Sequence, residues 1–158
     1  MDVNLLKLGS MLGAGIGMGF GAMGAGLGEG MIAGSANKAL ERQPGNYGNI
    51  LKMMLIGQAV AETTSIFAIL IALIMLFQKG DGTIISFFSH ISAGIAIGVG
   101  TLGAGLGGAL PAAASCEAVA REPHVMNKVM MTMLVGQAVT QSSAIYAMVI
   151  ALILIFLV

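Results

Sequence analysis

The sequence predicts an all-α membrane protein: four transmembrane helices arranged as two tandem helical hairpins. Three observations carry that reading. First, 57% of the 158 residues are hydrophobic and 9% are charged, whereas a soluble domain carries about 25% charged residues. Second, sliding the chain by half its 158 residues lays it on itself without a gap. Gly24-Ala25-Gly26-Leu27-Gly28 falls on Gly103-Ala104-Gly105-Leu106-Gly107, and Met54-Leu55-Ile56-Gly57-Gln58 falls on Met133-Leu134-Val135-Gly136-Gln137. Third, each copy (residues 1–79 and 80–158) holds two long apolar stretches separated by a short polar turn. Each stretch exceeds the roughly 20 residues that span the hydrocarbon, so the helices should project beyond one membrane face.

The first helix is expected over about Leu5 to Glu41. Met1-Asp2-Val3-Asn4 lacks the basic start of a signal peptide, so the stretch that follows reads as retained helix. Glycines recur at 13, 15, 17, 19 and 21 and again at 24, 26, 28 and 30. A glycine costs about 1 kcal/mol against alanine inside a helix, and close approach of neighbouring backbones is the reason to tolerate so many. No strand precedes the run and no Walker lysine follows it, which excludes a phosphate-binding loop. Small residues down a whole helix predict a narrow inner layer with bulkier second helices outside, a taper that closes into a ring.

Pro44, Gly45, Asn46 and Gly48 supply turn chemistry before a second helix from about Gly48 to Phe77. In the second copy helices are expected from about Thr83 to Ala120, interrupted at Pro111, and from about Met126 to Val158. Lys38, Arg42, Lys52, Arg121 and Lys128 cluster at the two turns, with only Lys7 and Lys79 on the other side. The positive-inside rule therefore puts the turns in the cytoplasm and both termini outside. Seven basic residues offset by seven acids form no nucleic-acid-binding patch. The single Cys116 excludes an internal disulfide and a multi-cysteine metal site, and reads as a small apolar filler.

Glu62 lies inside the apolar run from Ile50 to Phe77. A carboxylate at that depth costs about 2.5–3.5 kcal/mol on insertion scales and by default marks an ion or proton path. Glu29 is the other acid well inside the membrane, and positions 29 and 62 are centred on 45.5, taken as the middle of the turn. At about 1.5 Å rise per residue the two acids should reach the same depth, about 25 Å below the turn. Two carboxyls in low dielectric do not both ionise readily, so one should keep a proton and donate it to the other. Thr63 and Thr64 add hydroxyl oxygens, making a hard-ligand set suited to Na⁺, although a bare proton needs fewer partners. Both hydroxyls can instead bond back to the helix. In the second copy Gln141 replaces Glu62 and Gly108 replaces Glu29, so one carrier remains per four helices. Thr140, Ser142 and Ser143 persist beside Gln141.

Taken together, the Gly-x-Gly-x-Gly inner helix, the Ala39-x-x-Arg42-Gln43-Pro44 turn and Gly57-Gln58-Ala59-Val60-Ala61-Glu62-Thr63-Thr64 resemble the proteolipid rotor subunits (c or K type) of rotary ATPases and ATP synthases. Duplication with loss of one acid is similar to V-type rotors, whereas the Arg-Gln-Pro turn looks F-type. The pattern resembles the V-type-like rotor proteolipid of Na⁺-dependent bacterial F-type synthases. The resemblance implies a non-catalytic subunit in a homo- or hetero-oligomeric rotor ring of the cell inner membrane, turning against the stator a-subunit. Partners would be other ring subunits, central-stalk subunits and membrane lipid, with transported Na⁺ (or H⁺) and no cofactor. It implies an ion site of Glu62, Glu29, Thr63 and the Val60 carbonyl, with Thr64 beside them. Val139, Ser142 and Tyr146 of a second-copy hairpin, in the same or an adjacent chain, would complete it. Tyr146 stands where sodium rings carry a steadying tyrosine, and Phe67 lacks that hydroxyl in the first copy. Arg42, Gln43, Pro44 and Arg121 match the segment that touches the central stalk, although turn residues are otherwise simply solvated. A stand-alone four-helix transporter would call for aromatic residues around Glu62, against 5% aromatics and no Trp here. A structural membrane oligomer would leave Glu62 inert.

Overall fold

The computed structural model describes residues 4–79 and 82–157, and every described helix matches an expected one. Helix α1 spans Leu5–Arg42, α2 Tyr47–Phe77, α3 Ile84–Arg121 and α4 Met126–Phe156. All four are long and apolar enough to cross a membrane. The 38 residues of α1 and of α3 make rods of about 57 Å, well beyond the hydrocarbon thickness.

The helix starts follow local chemistry. The Asn4 side chain accepts from the Lys7 backbone N–H at 3.1 Å and caps α1. Thr83 and Ser86 form a reciprocal capping box at the start of α3. The turns use less glycine chemistry than the sequence predicts. Pro44–Asn46 and Pro123–Val125 are single 3-10 turns, and no described glycine has a positive φ. Proline's fixed φ and missing N–H suit the first position of such a turn, and Gly48 simply lies in the first turn of α2. Asn46 donates from Nδ2 to the Val119 carbonyl at 2.8 Å, fastening the first turn to the second copy.

Pro111 does not interrupt α3, which runs unbroken through it. Its ring would press on the carbonyl four residues earlier, at Gly107, and neighbouring helices let membrane segments absorb such a proline. Position 136 on α4 is a glycine, and a Cβ there would meet the Pro111 ring at 3.4 Å. The proline therefore packs closely against α4 at Gly136.

The glycines divide by destination. In α1, Gly9, Gly13, Gly17, Gly24 and Gly28 face α3. A Cβ at Gly9 would lie 2.8 Å from the Phe87 carbonyl oxygen, and one at Gly28 2.7 Å from that of Gly105. From the other side, Gly94 and Gly105 meet the backbones of Gly13 and Gly24. Residues near 79 positions apart are thus neighbours, so α1 and α3 run parallel and in register with the repeat, and their contact is the broadest in the chain. Helix α2 packs against α1, α3 and α4, and α4 packs chiefly against α3. The inner pair of glycine helices and the outer pair of bulkier helices follow the expected taper.

Two apolar clusters fill the bundle. One, near the turns, joins Ile32, Ile50, Met53, Cys116, Val119 and Met133. The other, towards the opposite end, joins Ile71, Met75, Ile97 and Ile155. Cys116 is fully buried, as an apolar filler would be. Beyond the second cluster His90 is buried. It donates from Nδ1 to the Ser86 carbonyl (2.7 Å), its Nε2 lies 2.7 Å from Gln78 Oε1, and Gln78 donates onward to the Ile155 carbonyl (3.2 Å).

Gly28→Ala is expected to destabilise the detergent-solubilised single chain by about 1–3 kcal/mol through overpacking. Gly30→Ala, where a Cβ has open space, should be neutral or stabilising by up to about 1 kcal/mol. Thermal unfolding of the two variants checks the contact, and a Gly28→Ala chain as stable as Gly30→Ala contradicts it.

Candidate ion-carrying site

Glu29 and Glu62 sit on facing helices of the first hairpin, Glu29 half-buried on α1 and Glu62 exposed on α2. They lie within electrostatic reach of one another. Their levels are not identical. Gly21 faces Ala68 and Gly57 faces Ile32, so the hairpin is centred on 44.5. The two acids are therefore offset by two residues, about 3 Å along the axis. The reason is the turn: α1 reaches Arg42 and α2 begins at Tyr47, which puts the midpoint one residue earlier than 45.5. Gln58 reaches the level of Glu29 and donates to its backbone carbonyl at 3.3 Å.

The hydroxyls near Glu62 all bond back to their own helix. Thr63 donates to the Val60 carbonyl (2.7 Å), Thr64 to that of Ala61 (2.9 Å) and Ser65 to that of Glu62 (2.8 Å). Thr64 is fully buried. Such bonds use the hydrogen and leave the oxygen lone pairs available. Among the described residues neither Glu62 nor Glu29 accepts a hydrogen bond on its carboxylate.

The Val60 carbonyl is engaged by the second copy, where Gln141 donates to it from Nε2 at 3.2 Å. One turn earlier Gln137 is fully buried and donates to the carbonyls of Gly57 (3.0 Å) and Gly108 (3.1 Å). Gln137 thereby repeats the Gln58–Glu29 bond of the first copy and adds a link to α2. Of the second-copy residues named for the site, none is brought to Glu62 within the chain. Val139 and Tyr146 are 68% and 67% exposed on the free face of α4, and the Ser142 hydroxyl donates to the Val139 carbonyl at 2.7 Å. Arg42, Gln43, Pro44 and Arg121 are exposed at the turns. The bracing roles of Gln58 and Gln137 were not legible as such, although the Gly-Gln pair stands at the same place in both copies.

Each hairpin has counterparts among known proteins. The sequence profile of the ATP synthase C subunit matches twice, over residues 12–75 and 91–154. The chain belongs to the ATP synthase c-subunit family. The ATP synthase c-subunit of Petrotoga mobilis is 48% identical over 73 residues, covering 46% of this chain and 76% of the relative. That of Alkaliphilus oremlandii is 51% identical over 75 residues, covering 48% of this chain and 84% of the relative. That of Syntrophus aciditrophicus is 61% identical over 66 residues, covering 42% of this chain and 56% of the relative. Each alignment spans about one hairpin, whereas this chain holds two. It is a duplicated c-subunit, a non-catalytic membrane rotor protein that works as a ring oligomer within the ATP synthase.

Repeating the step between hairpins from chain to chain would join particular faces. Gly15, Gly19 and Gly26 have open space on α1, and their counterparts one repeat later are Gly94, Gly98 and Gly105, which face α1 inside the chain. Shifting the Gly17–Gly94 contact by one repeat brings Ala96 of one chain to Gly15 of the next. With Cys116→Ala as background, Ala96→Cys and Gly15→Cys together should form disulfides between chains and give a ladder on non-reducing gels. Either cysteine alone should give none, and a ladder-free double variant contradicts this packing.

Proposed function

We propose that each chain carries one cation on Glu62 between the half-channels of the stator a-subunit, with Glu29 as its partner and Na⁺ as the favoured ion. The observation that supports this most directly is the Gln141–Val60 contact. Gln141 is the repeat counterpart of Glu62, and Val60 that of Val139. Moved by one repeat, the same contact brings Glu62 against the Val139 carbonyl of the neighbouring chain. Ser142, counterpart of Thr63, and Tyr146, counterpart of Phe67, then lie at the same boundary. Their present exposure fits that placement, since a neighbour's first hairpin would cover them. On this reading Val60 and Thr63 serve the boundary inside the chain, and Thr64, buried behind Glu62, steadies its helix.

The donor set at the boundary is two carboxyls, a carbonyl and one or two hydroxyls. Hard oxygens in that number suit Na⁺, and H⁺ is the alternative because Glu29 and Glu62 can share a proton. Loading neutralises Glu62, which lets it face lipid for most of a turn. Unloading into an aqueous half-channel exposes the charge again. Moving one charge through 100 mV is worth about 2.3 kcal/mol, so several steps are needed for each ATP made or hydrolysed elsewhere in the complex. One carrier per four helices lowers the ions moved per revolution. That favours ATP-driven pumping in a ring of this chain alone, and mixing with single-hairpin subunits would raise the ratio. The exposed turn residues Arg42, Gln43, Pro44 and Arg121 would meet the central stalk on the cytoplasmic side, with both termini outside.

Glu62→Gln is expected to abolish both ion-coupled ATP hydrolysis and labelling by a hydrophobic carbodiimide. Retention of coupled hydrolysis overturns the carrier role. In the native ring Na⁺ but not K⁺ should protect Glu62 from labelling at alkaline pH, and equal protection by both salts points to the proton. Tyr146→Phe should raise the Na⁺ concentration for half-protection by about 2- to 10-fold, the worth of one hydrogen bond.

A further inference from the structure

The junction of α2, α3 and α4 contains two buried oxygens that nothing satisfies. The Gln137 amide nitrogen donates to the Gly57 and Gly108 carbonyls, and that of Gln141 donates to the Val60 carbonyl. Turning either amide over would set its oxygen against a carbonyl oxygen, so the acceptors fix which atom is nitrogen. Both Oε1 atoms are left buried, and among the described residues neither has a hydrogen-bond donor. The two residues stand one turn apart on α4, on the same face. Gly108 packs beside them without a side chain. A Cβ there would meet Thr140 Oγ1 at 3.2 Å and Gln141 Nε2 at 3.5 Å.

A cation does not suit this place. Both acids of the first copy are replaced, by Gly108 and Gln141, so no carboxylate oxygen offsets a charge in a low-dielectric surround. The Val60 carbonyl already accepts from Gln141 and from Thr63, and the Thr140 hydroxyl donates to the Gln137 carbonyl at 2.8 Å. Amide hydrogens stand where a cation would approach Val60. The two orphaned oxygens lack donors, and a water supplies two of them in the smallest neutral form.

We propose that this junction holds one buried water, donating to Gln137 Oε1 and Gln141 Oε1, so that the second copy keeps a hydrated, cation-free counterpart of the carrier site. The inference takes its contrast from the carrier role of Glu62 but is read at a different place in the molecule. The internal junction then stays neutral and closed at every rotor position, while only the boundary between chains exchanges an ion. Its test is a map of the intact ring at a resolution that shows ordered water, recorded in Na⁺ and again after exchange into Tl⁺. A single peak is expected at hydrogen-bonding distance from both amide oxygens in each condition, without anomalous signal. An empty gap, or a Tl⁺ peak at this position, overturns the proposal. Gln141→Met should remove the peak, and its persistence in that variant overturns the assignment to the amide pair. Tl⁺ density at Glu29 and Glu62 in the same maps reports on the carrier role separately.

Discussion

The contact between the two glycine helices determines everything outside it. Because α1 and α3 touch backbone to backbone along most of their length, the two hairpins are related by the repeat itself, parallel and in step. Interior helix packing elsewhere leaves 8–10 Å between axes, and small-residue contacts are the means of approaching more closely in lipid. Any side chain on Gly13, Gly24 or Gly28 would force the axes apart and shift α2 against α4 with them. The outer helices inherit their placement from the inner pair, and so do the side chains that meet between them.

That inheritance gives the polar residues their addresses. A fixed step between hairpins means that each contact inside the chain forecasts one between chains. The glutamine at 141 reaches back to Val60, and the acid at 62 occupies the equivalent position at the chain's open flank. The duplication therefore makes two kinds of junction from one geometry. One lies within the chain and is built from amides; the other, under the proposed carrier role, is completed on assembly and built from carboxyls.

Much of this was legible in the sequence because periodic features obey simple rules. Hydropathy and length located four helices, and the gap-free self-alignment paired them. The turn residues and the lengths of the apolar stretches placed their described ends within a residue or two. Besides the bracing glutamines and the turn geometry, three things were not legible, each for a physical reason. Pro111 was expected to interrupt α3, but a membrane helix with glycine at 107 and 108 and again opposite at 136 has room for the ring. The levels of Glu29 and Glu62 differ by two residues because the register depends on where a 3-10 turn begins, which composition does not fix. The direction in which Val60 faces depends on the rotation of α2 between three neighbours, and no local pattern encodes it.

The placement of the lost acid also follows from this geometry. Within the chain, α2, α3 and α4 seal the junction around Gln137 and Gln141, whose oxygens have no surface left to reach solvent. A carboxylate at 141 would have to shed its charge there or remain bound to a cation, because burial opposes an unpaired ion far more than it opposes an amide. Glutamine keeps nearly the same shape and turns its nitrogen to the Val60 carbonyl. Glycine at 108 removes the second acid, whose side chain would stand against Thr140 and Gln141. The two replacements thus belong together, one setting an amide donor against the Val60 carbonyl and the other removing a side chain that would crowd Thr140 and Gln141. At the open flank the opposite holds: Glu62 is exposed, and under the proposed carrier role its charge is exchanged at an aqueous opening and neutralised before it meets lipid.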